Sequence, residues 1–171
     1  MKISNIVAAA GLLALAGAAN ADFTGPYAPA NWTFNPGGGS GAINVFNAST
    51  LAFTGTDNGV NSNTDVTIVA AGSGTWSFNW SYFSDDSTGW DSGGYLKNGV
   101  YTMLSDLASG ASGSQSIPVN GGDVIGFRLA SVDGIFGAAH LEITKFSAPV
   151  PAPASLALLG LGGLVAGRRR R

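Results

Sequence analysis

Cysteine is absent from the 171 residues, and histidine occurs once, at His140. The first absence excludes disulfides, thiolate metal sites and cysteine nucleophiles. The second excludes metal sites built from several histidines. Positive charge is scarce where a nucleic-acid partner would need it. Of the 8 Lys and Arg residues, Lys2 and Arg168 to Arg171 lie at the ends, so only Lys97, Arg128 and Lys145 face all 10 carboxylates between residues 22 and 148. Three minus ten gives −7 for that stretch, against −2 for the whole chain. Three scattered cations build no basic stripe, which excludes nucleic acid as a partner. The chain also lacks Gly-x-Ser-x-Gly, a phosphate-binding glycine loop and His-Glu-x-x-His, the local signatures of several hydrolase classes. Glu142 is the one glutamate, so paired-carboxylate glycoside chemistry would have to recruit aspartates. Without a nucleophile or orienting carboxylate beside it in sequence, His140 reads as structural.

What is present falls into three pieces. Lys2, the apolar run from Ile6 to Ala18, and Ala19-Asn20-Ala21 follow the order of a secretory signal peptide, with a signal helix and a small-x-small site for signal peptidase. Cleavage there leaves Asp22 first. About 13 apolar residues fall short of the roughly 20 that span a bilayer. The domains expected are therefore 1–21 as leader, 22–148 as a folded domain and 149–171 as a tail.

In the tail, Val150-Pro151-Ala152-Pro153 precedes an apolar, glycine-containing run to Gly167 and then Arg168-Arg169-Arg170-Arg171. Prolines 151 and 153 fix an extended spacer. The apolar run is about 14 residues, which as a helix covers about 21 Å of a core about 30 Å thick. Four terminal arginines stay on the cytoplasmic side. Spacer, short hydrophobic helix and basic stop together describe a transient or retained membrane anchor. At these residues the chain resembles the PEP-CTERM sorting tail of exported proteins in Gram-negative bacteria. The resemblance implies an exosortase-type processing enzyme as a partner, passage through the inner membrane, and delivery to the cell surface or an extracellular matrix. Where that family has Pro-Glu-Pro, this chain has Pro151-Ala152-Pro153.

All 17 aromatic residues lie between Phe23 and Phe146, an ordering drive that disordered tracts lack. Trp76-Ser77-Phe78-Asn79-Trp80-Ser81-Tyr82 alternates aromatic and small polar residues, the period of a strand with one buried face. Shorter strands are predicted over 31–34, 42–46, 51–54, 66–70, 117–119, 124–130 and 138–146. Asn98-Gly99 between two apolar arms predicts a type I′ hairpin. Gly/Ser/Asn/Asp clusters at 35–41, 55–65, 84–94, 109–116 and 120–123 read as turns. Many short strands without crossover helices predict an all-β, antiparallel, jelly-roll-like β-sandwich. Its expected core is Trp32, Phe34, Phe46, Phe53, Trp76, Phe78, Trp80, Phe127 and Phe146.

Candidate chemistry sits in one loop. Asp85, Asp86 and Asp91, among hydroxyls and carbonyls, offer oxygen ligands of the kind calcium takes, while solvated turn carboxylates are the commoner arrangement. Trp90 in the same loop, with Tyr95 nearby, would serve as a stacking platform for a sugar if exposed; folded over the sandwich edge, it would be packing. Two functional classes follow. The first is an exported, non-catalytic surface or matrix protein, structural or adhesive in an exopolysaccharide layer. The alternative is a small carbohydrate-binding module, calcium-dependent if the aspartates hold the ion, whose partner is extracellular polysaccharide.

Overall fold

The computed structural model describes residues 19–151. The predicted signal helix, the hydrophobic tail helix, Ala152, Pro153 and Arg168 to Arg171 lie outside the described residues. The strands are β1 (Ala19–Ala21), β2 (Thr33–Asn35), β3 (Ala42–Phe46), β4 (Thr50–Thr54), β5 (Ser62–Val69), β6 (Gly74–Ser84), β7 (Asp91–Lys97), β8 (Val100–Ser105), β9 (Ala111–Val119), β10 (Val124–Ser131) and β11 (Ala139–Val150). One sheet runs β3-β4-β11-β6-β9, with β1 added on β11; the other runs β2-β5-β10-β7-β8. All the ladders are antiparallel. The predicted all-β sandwich is the fold. Among the described residues no helix is long and apolar enough to cross a membrane.

Alternation dictates the layering. In β6, Trp76, Phe78 and Tyr82 are buried and Trp80 is half-buried, while the intervening positions point outward. In β5, Thr64, Val66 and Ile68 turn inward. Phe127 of β10 meets Phe78 edge-on at 4.9 Å and Trp76 at 5.6 Å, so both sheets contribute to one aromatic core. Burial at about 1.5–3 kcal/mol per large apolar side chain offsets the ordering entropy of a glycine-rich chain. The Asn98-Gly99 hairpin forms as predicted, with φ of 51° and 79° at its two central residues, the left-handed pair that type I′ requires.

Three departures have physical causes. Phe34 is 38% exposed rather than core, because β2 is a three-residue edge strand with β5 as its one neighbour. Trp32 turns inward instead, stacking on Phe127 with its indole N–H donating to the Tyr27 carbonyl at 2.9 Å. Second, Phe23 and Tyr27, from the segment ahead of the first predicted strand, are fully buried; Phe23 stacks on Phe146 at 4.3 Å. Third, residues 91–94 and 111–116 are strand, not turn. Their small residues are required by rings that face them, from the opposite sheet at Gly93 and across the β6–β9 ladder at Gly113. A Cβ on Gly93 would meet the Tyr82 ring at 2.5 Å, and one on Gly113 the Trp80 ring at 3.1 Å.

Candidate functional site

Four connections meet at one end of the sandwich: 55–61, 85–90, 106–110 and 132–138. Backbone hydrogen bonds join them. Gly59 N–H donates to the Gly134 carbonyl at 2.6 Å, Gly89 N–H to Asp106 at 3.2 Å, Val132 N–H to Trp90 at 3.1 Å and Asp85 N–H to Ala138 at 3.1 Å. Side chains add to the tie, with Ala108 N–H donating to Thr88 Oγ1 at 3.1 Å and Gly137 N–H to Asp57 Oδ1 at 3.2 Å. These loops are thus built surface, in a class of segment that carries function more often than the strands beneath it.

They enclose an open depression of about 730 Å³ lined by Asp85, Asp86, Ser87, Trp90, Ala108, Asp133 and Phe136. Trp90 is 47% exposed and Phe136 80% exposed, so two aromatic side chains are open to solvent beside carboxylates. Phe136 holds φ at +69°, a left-handed conformation rare for a bulky residue and of the kind found at binding and switch positions. The same turn holds two left-handed glycines, Gly134 with φ +64° and Gly137 with φ +130°.

Two carboxylates here are buried, Asp86 in the lining of the depression and Asp91 at the start of β7. Asp91 is 2% and Asp86 7% exposed. Ser84 Oγ donates to Asp91 Oδ2 at 2.9 Å and accepts the Asp86 N–H at 3.2 Å, and the Tyr82 hydroxyl donates to the Asp91 carbonyl at 3.0 Å. Asp86 Oδ2 and Asp91 Oδ1 have no hydrogen-bond partner among the described residues. Burial pushes the Asp91 carboxyl above its ordinary range and outweighs the Ser131 and Ser84 hydroxyls, which pull it down, while the charges of Asp86 and Asp133 add to the rise. An acceptor oxygen buried without a donor is costly, and a cation or a sugar hydroxyl would relieve it.

The predicted residues are only partly brought together. Asp86, Asp91 and Trp90 share the site. Asp85 reaches it but turns its Oδ2 to His140 Nε2 at 3.0 Å, so the three aspartates do not converge as one cage. No group of three or more acidic or histidine side chains is arranged to hold a metal among the described residues. Tyr95 does not join Trp90. It packs on the inner side, edge-on to Trp76 at 5.8 Å and to Phe78 at 6.2 Å, because its position in β7 faces the core. His140 stacks flat on Phe83 at 4.2 Å, and among the described residues no hydroxyl shares a hydrogen bond with it. Asp133 and Phe136 were not singled out from sequence. Their one signal is an apolar pair, Ile135-Phe136, bracketed by Gly134 and Gly137 between two strands.

Toward the other end of the chain's described part, Ala19, Asn20 and Ala21 of the predicted leader site pair with Val150, Pro149 and Ala148. Asp22 and Lys145 line a separate shallow depression with Ser49, Thr50 and Ser147. Pro151 ends the described chain.

Among solved structures, the chain is similar to a family 35 carbohydrate binding module from an environmental isolate, at 11% identity over 79% of this chain and 91% of that one, with a TM-score of 0.39. It is similar to a family 35 module from Cellvibrio japonicus Abf62 at 15% identity, covering 73% and 92%, TM-score 0.40. It is also similar to the N-terminal cellulose-binding domain of a Cellulomonas fimi β-1,4-glucanase C at 10% identity, covering 73% and 91%, TM-score 0.38. Likeness at this level says nothing of ligand or activity. No curated protein matches the sequence. The tail is specific: residues 149–171 match the PEP-CTERM protein-sorting motif, and the chain is therefore an exported protein that carries a PEP-CTERM sorting signal.

Proposed function

We propose that the protein is a non-catalytic component of the cell surface or extracellular matrix of a Gram-negative bacterium, delivered by signal peptidase at Ala21 and Asp22 and by an exosortase-type enzyme acting on the tail. The observation that carries this reading is the sorting motif over 149–171 following directly on an all-β domain. An acidic sandwich whose one histidine is stacked on Phe83 and hydrogen-bonded to Asp85 suits a structural or adhesive role in a hydrated polysaccharide layer. Intact masses of cell-associated and released protein from the native host test it. The expected result is a chain beginning at Asp22 in both fractions and lacking Arg168 to Arg171 in the released one. Full-length tails in both would sink the processing scheme.

A second reading is favoured by the depression at Trp90 and Phe136. Two exposed aromatic side chains beside Asp85, Asp86 and Asp133 offer apolar stacking with hydrogen-bond acceptors, the pairing that recognises a sugar ring's apolar face and hydroxyl rim. We assign this end of the sandwich as the glycan-binding surface, with calcium bridging the unpartnered oxygens of Asp86 and Asp91. Affinity electrophoresis through gels cast with soluble polysaccharides is the test. Retardation should be lost in Trp90→Ala and Phe136→Ala. Equal migration of wild type and both variants in every gel would remove this reading.

A further inference from the structure

The strand leading into the sorting motif is held by the leader. In β11, Ala139 to Ser147 pair with β6 and His140 to Thr144 pair with β4. The last three residues, Ala148, Pro149 and Val150, pair with β1 alone, and β1 is Ala21, Asn20 and Ala19. Those are the three residues of the small-x-small site. Cutting after Ala21 therefore deletes β1 entirely and strips one edge of β11 immediately before Pro151.

The geometry of the ladder says how this contact works. Pro149 has no N–H, and the Tyr27 hydroxyl donates to its carbonyl at 2.7 Å. The bonds to β1 accordingly come from the flanking pairs Ala19–Val150 and Ala21–Ala148, because antiparallel pairs alternate between bonded and non-bonded types. Tyr27 and the close backbone approach of Gly72 to Val150 both belong to the domain that remains after cleavage. They keep 148–150 extended, so removing β1 leaves a strand edge that is formed but unpaired, the kind of edge that accepts an extended partner.

We propose that residues 19–21 act as a cover strand over the approach to the sorting motif, so that leader removal must precede tail processing. A protease that reads extended backbone needs strand edges free. With β1 in place, the same ladder occupies both the leader's scissile segment and the strand entering the tail. Protection is reciprocal: a chain folded with its leader on is refractory at both ends, and a chain cut early presents the tail. The proposal rests on the export reading and adds an order of events to it.

Two substitutions at one position separate the contact from the anchor. Ala19 is exposed, so Ala19→Arg removes the small residue the leader site needs while keeping its N–H in the ladder. Ala19→Pro removes both the small residue and the N–H that pairs with Val150. Full-length wild type, A19R and A19P are pulse-labelled in the native host, and intact masses are followed for leader-retaining and leader-free species separately. In wild type, leader-free chains with intact tails should appear before any tail-processed chain. Among leader-retaining chains, A19P should lose the tail about tenfold faster than A19R, the scale of one ladder hydrogen bond. Equal rates in the two variants, or tail loss in leader-retaining A19R at the wild-type rate, would overturn the cover strand. Wild type retaining residues 1–21 throughout would instead show that the leader reading itself is wrong.

Discussion

The Tyr27 hydroxyl donates to the Pro149 carbonyl at 2.7 Å while accepting the Ala71 N–H at 2.9 Å. One buried side chain thus ties the start of the domain to the strand that leads into the sorting tail, across 122 residues of sequence. Burial raises its phenol pKa, so it stays a neutral donor under physiological conditions.

Tyr27→Phe leaves the ring packed on Phe146 but orphans a buried carbonyl and an amide. The expected cost is about 1–3 kcal/mol, read as a lower denaturation midpoint at unchanged m-value. The same variant should be nicked sooner by a broad-specificity protease between residues 149 and 155. Unchanged stability would mean that water replaces the hydroxyl.

Such long-range ties mark the boundary of what was legible in sequence. Trp76 to Tyr82 shows its strand period in its own side chains, and Asn98-Gly99 shows its turn through the φ values it tolerates, so both were readable locally. Tyr27 was not, since nothing around it signals a partner at Pro149. Gly93 and Gly113 misled for the same reason. Glycine and serine read as turn, whereas here Gly93 makes room for a ring of the opposite sheet and Gly113 for one on the paired strand. At the candidate site, Asp86, Asp91 and Trp90 were visible as one loop, but Asp133 and Phe136 enter from a connection more than 40 residues away. Tyr95 was misplaced because a hairpin arm does not by itself reveal which face meets the core.

Two glycines give a direct contrast. Gly93→Ala drives a methyl group into the buried Tyr82 ring at 2.5 Å, whereas a Cβ on Gly121 meets nothing closer than 3.5 Å. Overpacking of a dense core costs about 1–3 kcal/mol, so thermal melts should show Gly93→Ala clearly lowered and Gly121→Ala within about 0.5 kcal/mol of wild type.

Arg128 grips Asp65 across the β5–β10 ladder with Nε and Nη2, each at 2.7 Å, and its guanidinium lies 5.8 Å from the Tyr101 ring centroid. The hydrogen bonds to Asp65 raise the Arg128 pKa. A planar fork makes this contact and an ammonium does not. Arg128→Lys should therefore lose most of what Arg128→Met loses, about 1 kcal/mol in urea unfolding for a partly buried pair. Full rescue by Lys would show that charge alone matters.

The proposed calcium site is the pair of oxygens on Asp86 and Asp91 without a hydrogen-bond partner among the described residues. If the ion bridges Asp86 and Asp91, millimolar calcium should raise Tm over excess chelator in wild type and not in Asp86→Asn. A ligand present at 100 times its Kd contributes about 2.7 kcal/mol, a shift readily seen by calorimetry. No shift in wild type would remove the ion from the glycan-binding reading and leave Trp90 and Phe136 to act alone.

Asp91 gives that test a pH dependence with a definite sign. Burial raises its pKa in the folded chain, so the folded state holds the proton to higher pH than the unfolded chain, whose Asp titrates near about 3.9. Between those two values folding takes up a proton, and stability must fall as pH rises. Above the folded-state value the penalty is complete and constant. Asp91→Asn keeps the volume and an oxygen for the Ser84 hydroxyl while removing the buried charge. In chelator it should melt about 2–4 °C above wild type at pH 7, and the difference should shrink as pH drops toward 4. With calcium the order should reverse at pH 7, because the ion neutralises the wild-type carboxylate and finds no charge in the variant. A variant melting below wild type at pH 7 in chelator would show that the ionised carboxylate is stabilising, through the Ser131 and Ser84 hydroxyls that pull its pKa down.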